Sequence, residues 1–119
     1  MPELNKTIET TLHPYKPLSL SSFKNKIKTT IEQIKKSNTC TESGKNAEIR
    51  EGIKTLFIIE QKKIRIYKNK IEELYECVKK NHEEIERKDI KQLLKEKEYN
   101  ISKVEDDMNH ILNYYLDKF

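Results

Sequence analysis

From Leu18 to Phe119 the chain has no proline, and its two glycines, Gly44 and Gly52, both fall in the first half. Sheets need frequent turns, and tight turns draw on glycine and proline. A stretch so poor in both points away from α/β and all-β folds and towards long helices. Composition agrees: 34% of the 119 residues are hydrophobic, 37% are charged, and tryptophan is absent. That suits elongated helices, which bury one narrow stripe and solvate the rest. The length is that of one domain.

The net charge of +4 is unevenly placed. Residues 1–45 hold eight lysines against four glutamates, whereas residues 46–119 are balanced at sixteen basic and sixteen acidic side chains. Overall charge is therefore a poor argument for nucleic-acid binding. Cys40 and Cys77 are far apart and belong to no Cys-x-x-Cys pair, so both are expected as free thiols in a reducing compartment. The longest apolar run, Leu56–Ile59, is far short of the ~20 residues that span a bilayer. The N-terminal residues resemble neither a secretory leader nor a transit peptide. These features lead to the expectation of a soluble intracellular protein, in the cytoplasm or else the nucleus.

All three prolines, Pro2, Pro14 and Pro17, lie in residues 1–17, which are expected to form a flexible arm, disordered or extended. Residues 18–119 are expected to form a single helical-bundle domain. Its first helix, about 19–37, starts where serines can cap it and carries Leu20, Phe23, Ile27, Ile31 and Ile34 on one face. The second, about 46–80, has the stripe Ile49, Ile53, Phe57, Ile64, Tyr67, Ile71, Leu74 and Val78. Glu60 interrupts that seam, with Ile59 expected to fill part of the gap, and Gly52 is expected to fray the first turn or to delay the start of the helix. In the third, about 89–118, Leu94, Ile101, Met108 and Tyr115 recur every seven residues, with Val104 and Ile111 between them. Lys97 is the polar intruder on this stripe. Asp89 and Gln92 have the spacing of a capping box.

The last two helices could form one rod of ~65 residues, about 100 Å long. The seven-residue phase, however, slips by about two residues between Ile85 and Leu94, which favours a turn over 82–88. The expected fold is all-α: an antiparallel three-helix bundle with long, coiled-coil-like helices. A continuous dimeric coiled coil is the alternative, and self-association stays open.

Signs of chemistry are few. His82-Glu83-Glu84-Ile85-Glu86 has half of a zinc-binding His-Glu-x-x-His string but lacks the second histidine. Asp106 and His110 are four apart with no nucleophile in prospect, and His13 has no evident partner. Neither a glycine-rich phosphate loop nor a nucleophile elbow is present. No enzymatic activity, metal or cofactor is expected.

Two surfaces stand out. Lys62, Lys63, Arg65, Lys68 and Lys70 form a basic stretch without an acid, able to receive an RNA backbone or an acidic protein tail. Pairing with Glu96, Glu98 and Glu105-Asp106-Asp107 of the third helix would neutralise it instead. Tyr67 and Tyr115 sit on the apolar stripes as core residues. Tyr114, Leu116 and Phe119 form an apolar cluster that either closes the bundle or docks a partner. The expected function is non-enzymatic: an adaptor, assembly factor or small chaperone that binds another protein by helix–helix packing. The alternative is an RNA-associated basic helical protein using the Lys62–Lys70 flank with the lysine-rich first helix, where Lys24, Lys28 and Lys35 lie off the apolar face.

Asp89-Ile90-Lys91, Tyr115-Leu116-Asp117, and Val104 and Asp107 between them resemble tubulin-binding cofactor A, as does the length of the preceding helix. That family comprises small helical-bundle chaperones of β-tubulin. The resemblance covers about half of the chain. It implies that the exposed faces of the last two helices would hold tubulin.

Overall fold

In the computed structural model, which describes residues 2–37, 41–81 and 84–119, four α-helices follow one another. They are α1 (Pro2–Leu12), α2 (Leu20–Lys36), α3 (Glu42–Asn81) and α4 (Glu84–Leu116), with a 3-10 turn over His13–Tyr15. Among the described residues there is no strand. The protein is an all-α helical bundle in which α2, α3 and α4 are the three helices expected.

The N-terminal segment corrects the expectation of a flexible arm. Pro2 occupies the first turn of α1, where its missing N–H would have had no helical partner, and Pro14 sits in the 3-10 turn. Ile8 and Leu12, four residues apart, are fully buried. Their burial offsets the entropy of ordering so short a helix.

Serine caps α2 as expected: the Ser19 hydroxyl accepts the Ser22 N–H at 3.2 Å, and Phe23, Ile27 and Ile31 are buried. α3 begins earlier than its apolar stripe, because Thr41 Oγ1 accepts the Gly44 N–H at 3.2 Å. Gly52 lies inside α3 and does not fray it. A Cβ there would stand 3.2 Å from the Thr30 methyl of α2. Close approach to α2 thus accompanies the ~1 kcal/mol propensity cost of an interior glycine.

Along α3, Ile49, Ile53, Phe57, Ile64, Tyr67, Ile71 and Val78 are buried. Glu60 is buried too, at 2% exposure, and its carboxylate accepts the Leu18 N–H at 3.5 Å. Ile59 does not fill the seam. It is 46% exposed, since one residue turns about 100° around a helix.

α4 starts at Glu84, so the capping-box pair Asp89 and Gln92 lies within the helix and the turn does not extend to residue 88. Of its stripe, Leu94, Ile101, Met108 and Tyr115 are buried and Val104 and Ile111 half-buried, while Ile90 and Leu112 are buried as well. Lys91 Nζ lies 5.8 Å from the Tyr75 ring centroid. A straight helix would hold two residues sixteen apart about 24 Å from each other. The chain therefore folds back between them and is no single rod.

The chain divides into two compact units: Met1–Pro17 with Lys62–Lys103, and Leu18–Gln61 with Val104–Phe119. The first buries Ile8, Leu12, Ile64, Tyr67, Ile71, Val78, Ile90, Leu94 and Ile101. Within it Lys97, the polar residue on the α4 stripe, pairs with Glu9 of α1. The Lys97 hydrogen bond holds the Glu9 carboxyl below the usual carboxylate range, aided by the charges of Lys97 and Lys16. Burial pushes the Tyr67 hydroxyl up, and the charge of Glu9 adds to this.

The second unit buries Phe23, Ile27, Ile31, Ile49, Ile53, Phe57, Met108, Leu112 and Tyr115. Arg50 of α3 donates to the Leu116 carbonyl at 2.6 Å, meeting one of the four carbonyls that α4 leaves without a helical partner. A positive charge also suits that end of the helix dipole. Arg50→Met keeps the aliphatic stem and removes the bond. A loss of about 1 kcal/mol is expected in urea unfolding. The Phe119 N–H donates to the same carbonyl at 3.1 Å, so an unchanged midpoint would mean that this bond and water serve it equally well.

Candidate functional site

The basic stretch of α3 lies in the first unit. Lys62 and Arg65 are exposed, whereas Lys63, Lys68 and Lys70 are partly covered. Lys70 donates to Glu73 one turn on, at 3.1 Å, and this bond raises its ammonium pKa above the ordinary lysine value. The same ammonium stands 5.3 Å from the Tyr15 ring centroid. Lys63 and Lys68 also interact with neighbours. The five basic residues are thus not equivalent, and Glu73 meets Lys70 from within α3 itself. Lys62 and Arg65 stand in solvent, with Ile66, at 46% exposure, next to Arg65.

Ile66 was not singled out by the apolar periodicity because it is off the stripe. That same discrepancy was its signal. In the second unit Ile58 and Ile59, also off the stripe on α3, are similarly exposed. An exposed helical isoleucine contributes little burial, and its β-branch restricts the side chain without any gain in propensity.

The structure brings Tyr114, Leu116 and Phe119 into the second unit, at the end of α4. Tyr114 is 59% exposed and packs edge-on to Tyr115 with ring centroids 5.2 Å apart. Leu116 and Phe119 are half-buried, and the Leu116 carbonyl is the one that Arg50 meets. Lys118 stands 4.4 Å from the Tyr114 centroid and 5.5 Å from that of Tyr115, while Lys35 of α2 stands 5.5 Å from Phe119. The Lys118 hydrogen bond and charge lower the Tyr114 hydroxyl pKa, and the charges of Lys24 and Lys28 lower it further. Sequence reasoning found the aromatic half of this cluster and set Lys24, Lys28 and Lys35 off the apolar face of their helix, without joining the two. Their spacing, Lys24, Lys28 and Lys35, was the available signal.

A groove of about 270 Å³ opens there between Ile31 of α2 and Tyr115 and Phe119. The first unit has its own groove of about 330 Å³ over Ile71, Tyr75 and Leu94, with acids and lysines mixed around it.

Among the described residues no three histidine, cysteine or acidic side chains gather to hold a metal ion. The string from His82 to Glu86 falls outside the described side chains, as does Cys40. Asp106 and His110 are exposed on α4, His13 is exposed in the 3-10 turn, and Cys77 carries an exposed reduced thiol. No described helix is long and apolar enough to cross a membrane. No protein family, curated protein or solved structure matches the chain, so the likeness to tubulin-binding cofactor A rests on the residues quoted above alone.

Proposed function

We propose that this protein is a non-enzymatic interaction module that binds another protein by packing against exposed helix faces. The observation that carries this reading is the half-exposure of Ile58, Ile59 and Ile66 on α3, a helix whose other large aliphatic side chains are mostly covered. Apolar side chains held in water by a rigid helix favour a partner that removes them from it, by roughly 25 cal/mol for each Å² buried. The neighbouring Lys62 and Arg65 add charge at the rim, which sets orientation and association rate more than affinity.

Immobilised wild-type chain and the Ile66→Asp variant, matched for helicity by circular dichroism, test the proposal on one cell extract. The wild type is expected to retain discrete proteins through nuclease treatment and moderate salt, and Ile66→Asp to lose them. Equal retention by the two chains would overturn the reading for this face. Release by nuclease, or steeply between 50 and 200 mM salt, would favour the RNA alternative, because phosphate contacts weaken sharply over that range.

A further inference from the structure

The groove of the second unit has a chemistry of its own. On α2, Lys24, Lys28, Ile31 and Lys35 follow at intervals of four, three and four, which aligns them on one face. Ile31 is buried and forms the floor, while Lys28 and Lys35 stand on the groove wall. Lys118 completes that wall beside Tyr115 and Phe119, and among the described residues Glu32 is the one acid lining it. Lys24 also lies close enough for its charge to act on the Tyr114 hydroxyl. Three ammonium groups, those of Lys28, Lys35 and Lys118, around one small, partly apolar groove repel one another. An anion placed among them removes that repulsion.

The rings decide which anion. Lys118 already covers a face of Tyr114 and approaches Tyr115, and Lys35 covers Phe119. A lysine therefore already occupies one face of each of these rings, which leaves less aromatic surface on which a base could stack. Ammonium groups held by cation–π contact keep N–H donors for carboxylate oxygens. The apolar floor of Ile31 and Tyr115 meanwhile suits a single aliphatic side chain.

We propose that this groove binds an acidic peptide segment of a partner protein. An aliphatic side chain enters over Ile31 and Tyr115, and flanking carboxylates meet Lys28, Lys35 and Lys118. None of the exposed isoleucines of α3 lines this groove, so the two readings are tested by different residues.

A blocked Glu-Glu-Leu-Glu-Glu peptide, titrated into the isotope-labelled full chain, tests the proposal. Amide shifts are expected at Ile31, Tyr115 and Lys118. The variant carrying Lys28→Gln, Lys35→Gln and Lys118→Gln replaces only exposed side chains and is expected to keep its helicity. Its affinity should fall about tenfold, the sum of three exposed ion pairs of a few tenths of a kcal/mol each. Gln-Gln-Leu-Gln-Gln should bind no better than that variant binds the acidic peptide, and Glu-Glu-Ser-Glu-Glu should bind more weakly than the leucine form. The proposal is overturned by absent shifts, by equal binding to the triple variant, by equal binding of the glutamine peptide, or by oligouridylate binding the same residues more tightly.

Discussion

Replacing Ile64 by aspartate is expected to unfold the first unit. Ile64 is 1% exposed, on the face of α3 that supplies the core of that unit. The substitution removes an aliphatic side chain worth about 2–5 kcal/mol on truncation to a small residue. It also buries a carboxylate on a short stem that cannot reach water, a penalty of several kcal/mol more. Small domains hold about 5–15 kcal/mol in all. Helicity at 25 °C should fall, and residues of α1 should lose amide protection together with those of α3, because Ile8 and Leu12 belong to the same core. Ile66→Asp supplies the control. Two residues further along the same helix, the same chemical change meets solvent, and its effect should stay within about 0.5 kcal/mol. Similar losses at the two positions would show that the buried and exposed faces of α3 have been assigned wrongly.

Phe23→Ala is expected to cost about 3–5 kcal/mol, the range for deleting a fully buried aromatic ring. Phe23 has no exposed surface and lies 6.3 Å from Phe57 between ring centroids, at 54°. Its removal takes the main aromatic contact between α2 and α3. A lowered urea midpoint should be accompanied by proteolytic cleavage within α2, whose own length gives it little stability alone. A cost below 1 kcal/mol would mean that α2 is not anchored through this ring.

The long helices were legible because their stripes repeat over many turns. Leu94, Ile101, Met108 and Tyr115 could hardly share any surface but a buried one, and all four are buried. Ser19 was legible for a local reason, as an N-cap beside a chain of apolar residues. α1 was harder to see. Its prolines suggested an unstructured stretch, yet a proline in the first turn and another beyond the last are compatible with a short helix. The spacing of Ile8 and Leu12 was the contrary signal, and two residues make a weak one. Asp89 and Gln92 misled for the opposite reason: a capping pattern of two residues also arises inside helices.

The candidate surfaces were partly legible. Tyr114 and Phe119 are near in sequence, so their clustering needed no fold. The lysines of α2 reach the same groove only because α2 and the end of α4 belong to one unit, which no local pattern records. Lys97 was visible as an anomaly on its stripe. Its partner Glu9 was not, being 88 residues away on a segment expected to have no fold.

Glu60 stands in a row of positions seven residues apart, between Ile53 and Tyr67. Its carboxylate accepts the amide of Leu18, where the chain enters α2, a bond that Ile53 could not make. Were α3 to slide by one heptad so that Ile53 took this place, an aliphatic side chain would face that amide; a slide the other way would bring the Tyr67 phenol there in place of the carboxylate. Seven-residue repeats tolerate such slippage unless one polar position breaks the degeneracy. Glu60 thus ties the entry of α2 to one position along α3.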